Sequence, residues 1–138
     1  MAPRLTRQLE SSLYVGDLAR SRSFYQRVFG FEVLLEEHRM VAMAVPGGSV
    51  LLLFRTGGSV LPTDTPGGTI PAHDGRGTLH LAFAIPLAEL GAWEAHLASE
   101  GVPVESRVVQ SHGGTSLYFR DPDGHSVEVA VPGLWAIY

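Results

Sequence analysis

The carboxylate of Glu128 lies in the segment Ser116 to Val131, SLYFRDPDGHSVEVAV, which predicts two strands joined by a tight turn. Side chains alternate across a strand, so three valines share one face of the second strand and Glu128 falls on the other face, between two small residues. This arrangement is typical of a cavity wall rather than of a solvated surface. A carboxylate there could hold a cation or accept a proton. The apolar face consists of Val127, Val129 and Val131.

Two more polar side chains take a comparable place in other strand-like runs. In the run Leu79 to Ile85, large apolar residues alternate with His80 and two alanines. In the run Leu9 to Val15, Glu10 falls on the face opposite the apolar residues, together with two other side chains that carry a hydroxyl group. The less specific alternatives are a core or surface role for His80 and an exposed edge-strand charge for Glu10. Glu10 shares its face with Ser12 and Tyr14.

The elements that position Glu10 form the first half of the chain. A strand is followed by a helix that begins after the N-cap Asp17 and stops at Gly30, and then by three further strands. The first half is therefore predicted to be βαβββ. Its strands are predicted at Leu9 to Val15, Phe31 to Glu36, Met40 to Val45 and Val50 to Arg55.

The segment Thr56 to Thr78 is rich in glycine and proline and has almost no periodicity. Its length makes it a connection between two modules and a candidate lid. The βαβββ pattern then restarts, with a helix predicted at Pro86 to Glu100 and a type I turn at Asp121-Pro122-Asp123-Gly124. The strands of the second half are predicted at Leu79 to Ile85, Val102 to Val109, Thr115 to Arg120 and Ser126 to Val131.

The two halves form an internal repeat. Gly30 and Gly101 close the two predicted helices, and Glu10 and His80 occupy the same place in the two first strands, with spacings that agree within one residue. The alignment sets Leu51 or its neighbour opposite Glu128, so the last strand of the first half offers no polar ligand. We expect a single domain over 1–138, with module 1 at about 8–55, the connecting loop at 56–78, module 2 at about 79–131 and a tail at 132–138.

The composition excludes several classes of function. The chain has no cysteine, which rules out disulfides, thiolate metal sites and cysteine nucleophiles. A net charge of -4 with scattered arginines argues against nucleic acid as a partner. No apolar run approaches the roughly 20 residues that span a bilayer, and no hydrophobic segment follows the N-terminus. We expect no membrane partner and a cytoplasmic location.

Three segments carry a resemblance to the vicinal oxygen chelate superfamily, which includes glyoxalase I, extradiol dioxygenases and bleomycin-resistance proteins. They are LYVGDLARSRSFYQRVFGFEV at Leu13 to Val33, HLAFAI at His80 to Ile85 and YFRDPDGHSVEV at Tyr118 to Val129. The resemblance implies an α+β fold in which two βαβββ modules, with curved mixed sheets, enclose a shared cavity. It also implies a homodimer and a divalent metal ion on the cavity floor.

In the metal-binding members, ligands come from the first strand of each module and from the last strand, which correspond here to Glu10, His80 and Glu128. The strand faces agree, because each of these side chains points away from its strand's apolar face. Two carboxylates and a neutral imidazole would balance a divalent ion such as Mn²⁺, Mg²⁺, Ni²⁺, Fe²⁺ or Zn²⁺. Well-studied members have His or Gln where this chain has Glu10, and their fourth ligand falls in the apolar run Val50 to Leu53.

The resemblance also implies roles around the metal. Tyr118 corresponds to a substrate-binding tyrosine, and we expect Ser12 and Tyr14 to contact substrate. Glu10 and Glu128 are the candidate catalytic carboxylates, one of which would act as a base when it leaves the metal. The other histidines show no spacing that suggests a site: His73 lies in the loop, and His125 lies in the turn, where we expect solvent exposure.

Two classes of function follow. The first is a metal-dependent lyase, isomerase or dioxygenase that chelates an oxygenated small molecule. The alternative is a metal-free binding protein of the bleomycin-resistance type, which sequesters a ligand in the same cavity. The presence of both His80 and Glu128 favours the enzyme.

Overall fold

A computed structural model describes every residue of the chain, 1–138. The chain divides into two compact units, Met1–Arg76 and Gly77–Tyr138, which we call unit 1 and unit 2. Neither helix has the length and continuous apolar character that crossing a bilayer would require.

Unit 1 has the predicted βαβββ order. Its four-stranded sheet runs in the order β1-β4-β3-β2, with β1 parallel to β4 and the other neighbours antiparallel. The elements are β1 (Glu10–Val15), α1 (Leu18–Phe29), β2 (Glu32–Glu36), β3 (Met40–Val45), β4 (Ser49–Arg55), β5 (Thr63–Thr65) and β6 (Gly68–Ile70).

Helix α1 begins and ends where the sequence predicts. The side chain of Asp17 accepts the backbone N–H of Arg20 at 3.0 Å, which satisfies one of the unpaired amides of the first turn. Gly30 adopts the left-handed conformation at φ 69° and donates its N–H to the carbonyl oxygen of Gln26. The helix packs its buried face, including Tyr25, against the apolar face of the sheet. The buried side chains of that sheet face are Leu13, Val15, Val41, Met43, Leu51 and Leu53.

Unit 2 repeats the topology. Its sheet runs in the order β7-β10-β9-β8, again with the first and last strands parallel. The elements are β7 (His80–Ala84), a 3₁₀ turn (Leu87–Glu89), α2 (Leu90–Ser99), β8 (Ser106–Val109), β9 (Thr115–Arg120) and β10 (Ser126–Ala130).

The second helix starts later than predicted. The expected helix from Pro86 is replaced by the 3₁₀ turn, and α2 begins only at Leu90. Pro86 has extended dihedral angles, and neither it nor Glu89 makes a side-chain cap to the amides that follow. Without a cap, the first turn adopts the tighter 3₁₀ form that is common at helix ends.

The connecting segment Thr56 to Thr78 also differs from the prediction of a loop without regular structure. It contains the short antiparallel pair β5 and β6, joined through Pro66 and Gly67. β-Branched residues flank this turn, which favours a hairpin. Four of them are Thr63, Thr65, Thr69 and Ile70.

The turn between β9 and β10 forms as the sequence predicts. Gly124 donates its N–H to the carbonyl oxygen of Asp121 at 3.0 Å and has a φ of 83°. One oxygen of the Asp121 carboxylate also accepts the backbone N–H groups of Asp123 and His125. The expectation that His125 faces solvent is wrong, because this side chain is only 2% exposed.

The strand registers confirm the internal repeat residue by residue. Glu10 pairs with Val50 in unit 1, and His80 pairs with Ser126 in unit 2. Two residues further on, Ser12 pairs with Leu52. Ala82 pairs with Glu128 in the same place in unit 2. Leu52 is therefore the structural counterpart of Glu128, and the carboxylate has no equivalent in unit 1.

Candidate functional site

His80 and Glu128 meet on the face of the unit 2 sheet opposite its apolar core. The parallel pairing of β7 and β10 brings them together, since Glu128 lies two residues beyond the direct partner of His80. Nε2 of His80 lies 3.3 Å from Oε2 of Glu128. The carboxylate side chain is 4% exposed and the imidazole 52% exposed, so the pair is open to solvent on the histidine side only.

The hydrogen bond that His80 makes to the backbone determines which of its ring nitrogens carries the hydrogen. Nδ1 of His80 lies 2.9 Å from the carbonyl oxygen of Ser126. A carbonyl oxygen can only accept, so Nδ1 carries a hydrogen and donates it. In the neutral ring, Nε2 then presents a lone pair toward the lone pairs of Oε2. A cation between the two atoms would remove this repulsion.

The residues present fit a metal ion. Oε1 of Glu128 is buried and has no hydrogen-bond partner, which is costly for a carboxylate oxygen. A proton on Nε2 of His80 would satisfy Oε2 and leave Oε1 alone, whereas a hydrated metal ion would provide both oxygens with partners. Metal-binding histidines characteristically donate their other ring N–H to a backbone carbonyl or carboxylate, as Nδ1 does here.

Tyr118 flanks this pair. It is the direct partner of Glu128 in the β9–β10 register, and its ring lies 6.2 Å from that of His80 at an angle of 27°. The Tyr118 hydroxyl accepts a hydrogen bond from Nε2 of Gln110 at 3.5 Å, and the same amide donates to the hydroxyl of Ser116 at 3.1 Å. No sequence pattern marks Gln110, and its contact with the tyrosine hydroxyl lies at the limit of hydrogen-bond distance.

His125 supports the position of His80 from the buried side of the turn. Nδ1 of His125 accepts the backbone N–H of Leu79 at 2.9 Å. Ser126 in turn donates its N–H to the carbonyl oxygen of Leu79 at 2.8 Å. The residue before His80 is thus bonded on both sides to the start of β10, which fixes where the imidazole enters the site.

Unit 1 contains a cavity of about 660 Å³ on the sheet face that carries Glu10, Ser12 and Tyr14. The opposite wall comes from the connecting segment, which contributes Leu61 and His73 among others. The segment therefore lies over this face of the sheet.

A polar contact across the cavity joins Tyr14 to His73. The Tyr14 hydroxyl lies 2.7 Å from Nδ1 of His73, and the imidazole packs edge-on against Phe54 with ring centroids 4.4 Å apart. Burial, and to a smaller extent the negative charge of Asp74, raises the pKa of Tyr14 above the ordinary tyrosine value. The sequence offered one weak signal for His73, which is the only histidine in the predicted lid.

Gly75 lies flat against the ring of Tyr14. A Cβ atom at this position would come within 2.2 Å of the ring, far inside van der Waals contact. Only glycine allows the segment to lie this close to β1.

The structure thus brings the predicted site residues into two groups. His80, Glu128 and Tyr118 lie together in unit 2, and Glu10, Ser12 and Tyr14 lie together in unit 1. Glu10 is exposed at the start of β1. No group of three or more His, Asp or Glu side chains in the chain converges to hold a metal ion. The three-ligand set remains a prediction.

Comparison with known proteins identifies the family. The model of the Glyoxalase/Bleomycin resistance protein/Dioxygenase superfamily matches residues 7–129. The chain belongs to this superfamily, and its two βαβββ units have the fold of that family.

Three relatives illustrate its range. Lactoylglutathione lyase from Agrobacterium tumefaciens superimposes with a TM-score of 0.87 at 33% identity, over 97% of this chain and 99% of that one. Catechol-2,3-dioxygenase from Bacillus subtilis is 30% identical over 124 residues, which are 86% of this chain and 39% of the relative. Metallothiol transferase FosB from Bacillus licheniformis is 31% identical over 116 residues, 83% of this chain and 68% of the relative.

The chain therefore spans about two fifths of the length of the catechol dioxygenase, whereas it matches the lyase from end to end. The three relatives are named for three different reactions. Membership of the family consequently leaves the reaction of this chain unassigned.

Proposed function

We propose that the protein is a metal-dependent enzyme that binds an oxygenated small molecule next to His80 and Glu128. The observation that supports this most strongly is the buried Oε1 of Glu128, which lacks a partner beside an imidazole whose other nitrogen is already held by Ser126. Such a pair is prepared for a cation. The name of the metallothiol transferase relative records metal dependence within the family.

The proposed roles follow from the positions of the side chains. His80 and Glu128 supply two ligands to a divalent ion, and Glu10 supplies the third. The donor set of two carboxylates and one imidazole suits Mn²⁺, Mg²⁺, Ni²⁺, Fe²⁺ or Zn²⁺. When bound, such an ion would polarise a substrate oxygen and stabilise negative charge that develops on it.

The remaining chemistry belongs to the protein. Tyr118 lies beside the pair and would hydrogen-bond a substrate oxygen through its hydroxyl, which also lies 3.5 Å from Nε2 of Gln110. Ser12 and Tyr14 would contact the substrate from unit 1. Glu10 is exposed and Glu128 is buried, so Glu10 is the better placed to move and to accept a proton at its carboxylate.

Leu52 limits the reaction types. It occupies the position in unit 1 that corresponds to Glu128, where glyoxalase I has a further ligand. A leucine can neither hold a metal nor carry a proton, so a proton shuttle between two ligand carboxylates on the last strands is not available. We propose a lyase, isomerase or dioxygenase of this family that does not use such a shuttle, and we assign no substrate.

We also propose that the protein is a homodimer and that Glu10 reaches the metal of its partner. Two observations support this: Glu10 is exposed at an edge strand, and the chain by itself assembles no three-ligand cluster. Dimers are common in this family.

Calorimetric titration of tag-free protein with Mn²⁺ and Zn²⁺ tests the proposed function. We expect one site per chain in the native protein and no measurable site in His80→Ala or Glu128→Gln. Glu89→Gln, which changes an exposed carboxylate of the 3₁₀ turn, is the matched control and should bind as the native protein does. Absence of binding in the native protein would replace the enzyme with the metal-free binding protein.

A further inference from the structure

We propose that the cavity of unit 1 is a binding site for an uncharged, largely apolar molecule that carries an aromatic ring, held under a lid that the Tyr14–His73 pair closes. This deepens the proposed function by naming the class of ligand, and it rests on that function only in taking Ser12 and Tyr14 as ligand contacts. All residues that line the cavity lie in unit 1.

The size and lining of the cavity indicate a small organic molecule. A volume of about 660 Å³ lies within the range typical of small-molecule pockets. The floor consists of the apolar and small side chains of β3 and β4, among them Met40, Ala42 and Leu52. An ion or a small polar metabolite would leave most of this surface uncovered.

The rim adds exposed apolar surface. A register shift in β2 between Val33 and Leu35 leaves both Leu34 and Leu35 more than half exposed. From the connecting segment, Leu61 is 74% exposed and Ile70 is 54% exposed. All four leucine and isoleucine side chains line the same cavity, so they converge on one space rather than scatter over the surface.

Aromatic rings form one wall. Tyr14 and Phe54 stack with centroids 6.0 Å apart, and His73 meets the edge of Phe54 at 4.4 Å. Ring faces and edges of this kind favour another ring in offset or edge-to-face contact. Met40 adds a polarisable sulfur that also favours aromatic contact.

The charged groups argue against an anion. Arg39 lines the cavity, but its guanidinium donates to Thr63 at 2.6 Å and lies 3.6 Å from the carboxylate of Glu37. Glu10 contributes a negative charge to the lining. A carboxylate or sulfonate on the ligand would meet this charge without an uncommitted cation to pair with.

The lid is fastened at both ends of the hairpin β5–β6. At the first residue of the hairpin, the Thr63 hydroxyl accepts a hydrogen bond from Arg39. After the hairpin, the His73 side chain is hydrogen-bonded to Tyr14, and the His73 backbone N–H donates to the carbonyl oxygen of Ser59 at 2.9 Å. Release of the Tyr14–His73 bond would leave the second end held by the backbone bond to Ser59 alone, while the first end stays attached through Thr63. Entry and exit of the ligand would then pass through the side closed by His73.

Two fluorescent probes test the ligand class. N-phenyl-1-naphthylamine is uncharged, and 8-anilinonaphthalene-1-sulfonate has the same ring system with a sulfonate. We expect saturable binding of the uncharged probe to one site per chain and binding of the sulfonate at least about tenfold weaker, a difference of about 1.4 kcal/mol. Equal affinity for the two probes, or no saturable binding of the first, would overturn the proposal.

Paired variants locate the site. Leu61→Glu places a carboxylate at the rim without disturbing a buried residue, and Leu87→Glu makes the same change at an exposed leucine of unit 2. Ala42→Phe fills the floor, and Ala88→Phe is its exposed counterpart. The cavity variants Leu61→Glu and Ala42→Phe should weaken binding of the uncharged probe at least about threefold, which is a small but measurable change in binding free energy. The control variants Leu87→Glu and Ala88→Phe should bind the probe as the native protein does. An effect in neither cavity variant would refute the location.

The His80→Ala variant separates this proposal from the metal-dependent function, since it should lose the metal and keep the probe. Sedimentation at several protein concentrations shows whether the chain is a monomer or a dimer. If the monomer binds the probe and the dimer does not, a second copy of the chain covers the rim of the cavity. That result would overturn the proposal of a small-molecule ligand.

Discussion

His80 donates the hydrogen on Nδ1 to the carbonyl oxygen of Ser126, its direct partner in the parallel register of β7 and β10. The imidazole is therefore oriented by the backbone of the strand that carries Glu128 two residues later. The distance between the two proposed ligands depends on strand pairing, which is far more rigid than the rotamers of exposed side chains. Strand pairing alone therefore brings the two proposed ligands together.

Metal binding should stabilise the protein. At a free metal concentration one hundred times the dissociation constant, the stabilisation is about 2.7 kcal/mol, which for a chain of this size corresponds to a rise in Tm of roughly 10 °C. The rise should vanish in Glu128→Gln and be smaller than native in Glu10→Gln. Thermal unfolding with added Mn²⁺ and with chelator measures this, and a Tm that ignores both would contradict the metal site.

Subunit mixing tests the origin of the third ligand. In a dimer whose sites combine Glu10 of one chain with His80 and Glu128 of the other, mixing Glu10→Ala with Glu128→Ala protein restores one complete site in each mixed dimer. Calorimetry after subunit exchange should detect that site. If the site lies within one chain, no mixture recovers it, and a monomeric mass at micromolar concentration would exclude the exchange altogether.

His125 should act as a positioning residue for His80. Replacing it with leucine leaves the Leu79 N–H without its acceptor, at a cost of about 1–3 kcal/mol in the free energy of unfolding. It should also weaken metal binding about 10- to 100-fold, as is typical when a supporting residue of a metal site is lost.

His125→Asn offers an acceptor near the position of Nδ1 and is the matched control. It should recover much of the metal affinity that His125→Leu loses. Urea unfolding and calorimetry measure the two effects separately. Equal metal affinity in native, leucine and asparagine proteins would leave His125 with a role in folding alone.

Stability should fall in strong alkali through Tyr138. Its hydroxyl lies within hydrogen-bond distance of two carbonyl oxygens, that of Ile85 at 3.0 Å and that of Ala130 at 2.8 Å, and it shares its single hydrogen between them. Burial raises the pKa of Tyr138 above the ordinary value of 10.0. The neutral phenol is thus favoured in the folded protein.

The resulting contribution to stability is fully present below pH 10 and is lost as the pH rises through the raised pKa of Tyr138. Urea unfolding at pH 9 and at pH 11 should show a decline that is smaller in Tyr138→Phe. Some decline should persist in that variant, because the pKa of Tyr14 is raised as well. An identical pH dependence in both proteins would show that Tyr138 does not contribute.

Alternating strands and turn chemistry made much of this structure predictable. The period of two placed Glu128 and His80 on the non-core faces of their strands, and the repeat implied that the strands of Glu10 and His80 hold the same place in their two units. The sequence Asp121-Pro122-Asp123-Gly124 predicted the turn that sets the β9–β10 register. These features are local, or they repeat at a fixed interval, and a single sequence records both.

Contacts between distant segments were not predictable in the same way. His73 meets Tyr14 only because a long segment folds back over the sheet, and no spacing in the sequence encodes that return. His125 was expected in solvent because turns are usually polar and exposed. It is buried because the backbone N–H of Leu79, far away in the sequence, has its acceptor there.

The close approach of Gly75 to Tyr14 makes the closure of the proposed lid sensitive to a single methyl group. An alanine at this position would act as a wedge, because its Cβ and the ring of Tyr14 cannot occupy the same space. Either the ring turns away from His73 or the segment lifts, and both movements break the same bond. Amide exchange along 56–76 should speed up in Gly75→Ala while the exchange of unit 2 stays unchanged. The rate at which ligands enter and leave could therefore be tuned, by selection or by engineering, without altering any residue that touches them.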